Sequence, residues 1–131
     1  MAFYLDTSAL VKLVVAERET PELHAWATRP RRVLVSSDLA RTELVRAVRR
    51  VAPDLVLAAR EVLDALALLR VGTAVFDAAA RLDPDALRTL DAVHLAAALA
   101  LGDDLEAVVT YDERLADACR VNGVAVLAPG V

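Results

Sequence analysis

A chain of 131 residues, 57% of them hydrophobic and with a mean hydropathy of +0.45, is long enough to bury a core as one domain. Its formal net charge of −4 and pI near 5.1 exclude a protein that grips nucleic acid by bulk charge alone. The longest stretches without a charged residue, Ala92 to Gly102 and Val121 to Val131, are eleven residues each, too short to span a bilayer.

The amino terminus lacks a basic region followed by a cleavable apolar segment, so no signal peptide is expected. Cys119 is the single cysteine, which excludes an internal disulfide and fits a cytoplasmic, reducing setting. Lys12 is the sole lysine among 15 cationic residues. The arginines cluster at Arg29, Arg31 and Arg32 and again at Arg41, Arg46, Arg49 and Arg50. Their planar fork suits phosphate, but a GC-rich genome explains the same bias and is the weightier explanation.

In chain order, Phe3-Tyr4-Leu5 reads as a buried strand that delivers Asp6 to its carboxyl end. Ala9 to Ala16 reads as the following helix. Thr20-Pro21-Glu22 opens a second helix, with Thr20 as cap. Val33-Leu34-Val35 is a strand stopped by Ser36-Ser37-Asp38. Ala40, Leu44, Ala47, Val48 and Val51 mark a helix by their spacing. Pro53 breaks it, and a further helix spans Leu55 to about Leu68. Leu69-Arg70-Val71 is a short strand, and Thr73 caps a helix reaching Leu82. Asp83-Pro84-Asp85 is a turn, and Thr89 to Leu101 an almost wholly apolar helix. Ala107 to Thr110 is a buried strand, Asp112 to Val121 a helix, and Val124 to Leu127 a final strand. Short apolar strands alternating with helices predict an α/β fold with a parallel sheet covered on both faces, one domain over residues 1–131.

Four acids stand where acids are costly. Asp6 and Asp112 follow buried apolar runs and belong at the carboxyl ends of strands, where open α/β sheets bind ligands. Glu43 shares the apolar stripe of its helix, so it needs a partner arginine, a cation or a place at the stripe's edge where it reaches water. Asp91 lies in the first turn of the central apolar helix, with His94 one turn on. Each has a structural explanation: Asp6 or Thr7 as a helix cap, Asp91 as a partner of the helix dipole, and Thr110 with Glu113 as a capping box. His94 reads as a structural hydrogen-bonder and Cys119 as a buried, inert thiol. Four carboxylates in one crevice would repel one another, and divalent cations would relieve that repulsion. Hard oxygen donors without a histidine and cysteine set point to Mg²⁺ or Mn²⁺ and to metal-assisted phosphodiester hydrolysis.

Leu5-Asp6-Thr7-Ser8-Ala9-Leu10, Arg41-Thr42-Glu43-Leu44, Leu90-Asp91-Ala92-Val93-His94-Leu95-Ala96-Ala97-Ala98 and Val109-Thr110-Tyr111-Asp112-Glu113-Arg114-Leu115 resemble, in this order, the motifs of the PIN-domain ribonucleases. They most resemble the VapC toxins of bacterial toxin–antitoxin pairs. The resemblance covers essentially the whole chain. It implies a five-stranded parallel sheet in the order 3-2-1-4-5. It implies that Asp6 and Asp91 hold Mg²⁺ or Mn²⁺ most directly, that Glu43 completes the site, and that Asp112 joins directly or through water. Thr7, Ser8 and Thr110 would supply hydroxyls beside the acids. It further implies an endoribonuclease acting on RNA, a homodimer, and a VapB-type antitoxin. Two rivals are a catalytically silent PIN-fold binding module and a haloacid-type phosphatase. The second lacks the late lysine that would pair with a phosphoryl group, since no lysine follows Lys12.

Overall fold

The computed structural model describes residues 1–131, and its centre is a strand, β1 (Ala2–Leu5). The chain then runs through α1 (Thr7–Val14), α2 (Thr20–Ala27), β2 (Val33–Ser37), α3 (Leu39–Val51) and α4 (Val56–Asp64). It continues through β3 (Ala67–Leu69), α5 (Thr73–Ala80), α6 (Thr89–Leu99), β4 (Leu105–Val109), α7 (Glu113–Val121) and β5 (Val126–Leu127). All strand pairs are parallel, and the sheet order is β3-β2-β1-β4-β5, as expected. The chain lays β2 and β3 to one side of β1, then crosses back to place β4 on the other. The crevice beyond the carboxyl ends of β1 and β4 is therefore the topological switch point.

Alternation along the strands divides the core. Leu5 and Val109 turn to the face covered by Leu10, Leu23, Leu44, Val48 and Leu63 of α1 to α4. Tyr4, Val35 and Val108 turn to the opposite face, against Leu95, Ala98, Leu115 and Cys119 of α6 and α7. Both faces of β1 are thus buried, which explains why it lacks polar alternation. Leu44 and Val48 are fully buried, as their helical spacing predicts. No helix is long and apolar enough to cross a membrane.

The differences from the sequence reading lie at element ends. β2 does not stop at Ser36 but runs through Ser37, because the Ser36 hydroxyl donates to the Leu5 carbonyl at 2.7 Å and is satisfied inside the sheet. β3 lies two residues earlier than Leu69–Val71, set by its register against Val35, Ser36 and Ser37. α2 is preceded by Glu19 as its cap position. Thr20 sits inside the helix, and its hydroxyl donates to the Lys12 carbonyl at 2.7 Å. Gly72 rather than Thr73 precedes α5. No Thr110–Glu113 capping box forms; Asp112 caps α7 itself.

Candidate active site

Asp6 follows β1 directly and opens α1. Its backbone is extended (φ −79°, ψ 177°), and its amide donates to the Val109 carbonyl of the neighbouring strand at 3.3 Å. α1 starts at Thr7 rather than Ala9 because Asp6 is the cap: its Oδ1 accepts from the Ala9 amide at 3.1 Å. Of the two caps the sequence offered, Asp6 and Thr7, Asp6 takes the role, so capping and a buried acid coincide in one residue. Ser8 donates to the same oxygen at 2.6 Å, and Thr110 donates to Oδ2 at 2.6 Å. Asp6 is only 4% exposed. Burial pushes its carboxyl above the usual range, while the bonds from Ser8, Thr110 and Ala9 oppose the rise without cancelling it.

Thr110 closes the link between β1 and β4. Its hydroxyl gives its proton to Asp6 and accepts the Asp112 amide at 3.1 Å. Asp112 Oδ1 caps α7 through the amides of Arg114 (2.9 Å) and Leu115 (3.4 Å). Its Oδ2 accepts from an Arg88 terminal nitrogen at 3.0 Å, while Arg88 Nε donates to Asp91 Oδ2 at 3.2 Å. One guanidinium therefore bridges Asp91 and Asp112. Sequence reasoning passed over Arg88; its place three residues before Asp91, one helical turn away, was the available signal.

Glu43 projects from α3 towards α1 and α6. Its partner is not an arginine. Thr7 donates to Oε1 at 2.8 Å, and His94 Nε2 lies 2.6 Å from the same oxygen. His94 Nδ1 stands 2.7 Å from the Tyr4 hydroxyl. Burial pushes the Tyr4 phenol upward, so it stays protonated and donates to Nδ1. In the neutral ring this network leaves the proton on Nε2, which donates to Glu43. Burial alone would raise the Glu43 carboxyl, but the hydrogen bonds from His94 and Thr7 outweigh it and hold the group below its ordinary value. His94 is thus a structural hydrogen-bonder, as expected, but one whose partner is a site acid. Tyr4 has no sequence signal for this role beyond its place in a buried strand.

Glu43 and Asp91 line one open cleft of about 400 Å³, together with Arg88 and Leu90. The four acids come from four separate elements or their ends and lie along the carboxyl edge of the sheet. They are joined in pairs: Asp6 to Asp112 through Thr110, Asp112 to Asp91 through Arg88, and Asp91 to Glu43 across the cleft. No three acidic, histidine or cysteine side chains converge as a ready cation site. The donors are carboxylate and hydroxyl oxygens, which hard divalent cations take. The Arg88 guanidinium shows that positive charge is accepted between two of these carboxylates.

A family model described as PIN domain matches residues 3–121. The chain is 48% identical over 128 residues to Ribonuclease VapC46 of Mycobacterium tuberculosis, covering 98% of each. It is 43% identical over 131 residues to Ribonuclease VapC47 of the same species, covering 97% of this chain and 96% of that one. Among solved structures, the fold is similar to that of Mycobacterium tuberculosis VapC20, a sarcin-ricin loop cleaving toxin. That match has a TM-score of 0.75 at 17% identity and covers 97% of this chain and 99% of that one. A chain of a toxin–antitoxin complex from Klebsiella pneumoniae matches with a TM-score of 0.70 at 18% identity, covering 98% of both.

Proposed function

The chain belongs to the PIN-domain family, and from that premise we propose that it is a VapC-type toxin: an endoribonuclease that hydrolyses RNA phosphodiesters with Mg²⁺ or Mn²⁺. The observation that carries this reading is the placement of Asp6, Glu43, Asp91 and Asp112 along the carboxyl edge of the sheet, linked in pairs through Thr110, Arg88 and the shared cleft. Asp6, Asp91 and Asp112 would hold the cation, with Glu43 completing the set. When bound, the cation supplies an activated water and charge neutralisation at the phosphodiester.

The chain's own groups prepare that chemistry. Ser8 and Thr110 each donate to a different oxygen of Asp6 and so orient its carboxylate. Thr7 and His94 both bind Glu43 Oε1, which leaves Oε2 without a donor on a residue that lines the cleft, available to orient a water and accept its proton. Asp91 Oδ1 is likewise without a hydrogen-bond donor. Arg88 occupies one oxygen of Asp91 and one of Asp112, so those two oxygens become available to a cation only when the guanidinium moves away. The same reading carries an RNA substrate, a VapB-type antitoxin, a homodimer as the working form and a cytoplasmic site of action. The likeness to a chain of the Klebsiella pneumoniae toxin–antitoxin complex supports the antitoxin partner. A silent PIN-fold module has one observation in its favour, the lack of three converging ligands.

The test is RNA cleavage with Mg²⁺ or Mn²⁺, with and without chelator, for the wild type and Asp6→Asn. Asparagine caps helices as well as aspartate, so the variant keeps the start of α1. Cleavage lost in both treatments supports the reading. Cleavage that survives both rejects it, and a wild type that never cleaves favours the silent module.

A further inference from the structure

Four arginines lie on the thirteen residues of α3, and only Arg41 has an acidic partner, Asp38 at 3.0 Å. Arg46, Arg49 and Arg50, and Arg60 of α4 beside them, are exposed and make no ion pair, although acids outnumber cations in the chain. They wall two open grooves. One, of about 530 Å³, is lined by Arg41, Arg46 and Arg60 together with Val45 and Leu63, with Asp64 as its sole acid. The other, of about 320 Å³, is lined by Arg46, Arg49 and Arg50 alone. Arg46 belongs to both, so the two grooves adjoin.

The strip leads from the acids. At ~100° per helical residue, Arg46 lies about 60° and Arg50 about 20° from Glu43 around α3. At ~1.5 Å rise, they stand about 4.5 Å and 10.5 Å further along its axis. Compensation of the helix dipole accounts for Arg49 and Arg50 in the last turn, but not for Arg46 at mid-helix or Arg60 on another helix.

We infer that the Arg46, Arg49, Arg50 and Arg60 strip on α3 and α4 is the track that holds the RNA backbone leading into the acidic site. The inference rests on the nuclease reading above. The chemistry favours a polyphosphate over a protein. Guanidinium forks match phosphate oxygens in pairs. Protein docking faces need an apolar centre, and the second groove has no hydrophobic lining at all. Wet, strongly positive surfaces are those of nucleic-acid interfaces.

The test is binding of a short, unstructured, fluorescein-labelled RNA by anisotropy in chelator, across a salt series. The variants are Arg46→Ala with Arg50→Ala, and the charge-matched control Arg29→Ala with Arg31→Ala. The control pair is equally unpaired but lies before β2, at the opposite edge of the sheet. With a slope of about −0.7 per phosphate contact, losing two contacts flattens the salt dependence by about 1.4 and weakens binding about 25-fold at ~0.1 M salt. The control should bind as the wild type does. Equal losses in the two variants would overturn the track. So would unchanged RNA binding with loss of antitoxin binding, or a loss explained by a changed association state on gel filtration. If the wild type binds this RNA through the strip but never cleaves, the nuclease reading fails and the track stands. If it cleaves and the Arg46/Arg50 variant binds normally, the track fails alone.

Discussion

Arg88→Ala separates the two positive charges that the site accommodates, its own arginine and a divalent cation. Arg88 is 59% exposed and touches Asp91 at 3.2 Å and Asp112 at 3.0 Å, whose side chains are 16% and 25% exposed. Exposed ion pairs are each worth about 0.2–1 kcal/mol, so releasing both costs about 0.4–2 kcal/mol. A cation that takes those two carboxylates must meet that cost, and removing Arg88 removes it. The expected result is Mn²⁺ binding about 2- to 30-fold tighter than in the wild type by isothermal titration calorimetry, since ~1.4 kcal/mol is tenfold. Arg88→Lys, which keeps the charge but loses the fork, should fall between the two. The readout is binding rather than turnover, because the variant also removes a guanidinium that lines the cleft. Equal or weaker Mn²⁺ affinity in Arg88→Ala would refute the idea that the arginine and the cation compete for Asp91 and Asp112.

Thr110→Val keeps the shape of β4's end but removes the donor to Asp6, a charge-assisted bond worth about 1.5–3 kcal/mol; a fall in Tm of roughly 6–12 °C is expected at neutral pH. The sign with pH follows from Asp6, whose folded carboxyl already lies above its ordinary value. The folded state therefore binds that proton more tightly than the unfolded chain does, and stability falls as pH rises between the two pKa values. Losing the bond to the ionised form widens that window, so the Thr110→Val penalty should shrink as pH falls and Asp6 protonates. A penalty that stays constant across acid and neutral thermal scans would contradict it. His94→Leu strands the buried Tyr4 hydroxyl, costing about 1–3 kcal/mol, and leaves only Thr7 to oppose burial at Glu43; lower Tm together with a Glu43 carboxyl raised above its wild-type value, read by NMR titration, is the expected pair of results. Burial pushes the Cys119 thiol up to about 12. Its reaction with a disulfide reagent near pH 8 should be about three orders of magnitude slower in the folded protein than in denaturant, and labelling at the free-thiol rate would show the site to be open.

The parallel sheet and its two-faced core were legible because β1, β2 and β4 are apolar on both faces and their connections carry helices, whereas the strand order followed only from the resemblance to the PIN-domain ribonucleases. Element ends were less legible, since they depend on which neighbour satisfies a polar side chain. Ser36 and Ser37 read as a strand stop until the Leu5 carbonyl supplies a partner across the sheet. Asp6 read as either cap or functional acid, because spacing alone could not show that one carboxylate oxygen caps α1 while both are held by hydroxyls from α1 and β4. Glu43 was recognisable as an acid on an apolar stripe, but its partners His94 and Thr7 lie 51 and 36 residues away in sequence. Arg88 was the opposite case: its link to Asp91 is local and visible in the spacing, whereas its bond to Asp112 needs the fold.

The most direct measurement follows Mn²⁺ binding by electron paramagnetic resonance and RNA cleavage in the same samples, for the wild type, Asp6→Asn and Asp91→Asn. If the four acids form the cation site of a ribonuclease, binding and cleavage rise together with Mn²⁺ in the wild type and both collapse in the two variants. Cleavage at the wild-type rate in a variant that no longer binds Mn²⁺, or full binding in both variants, would contradict it.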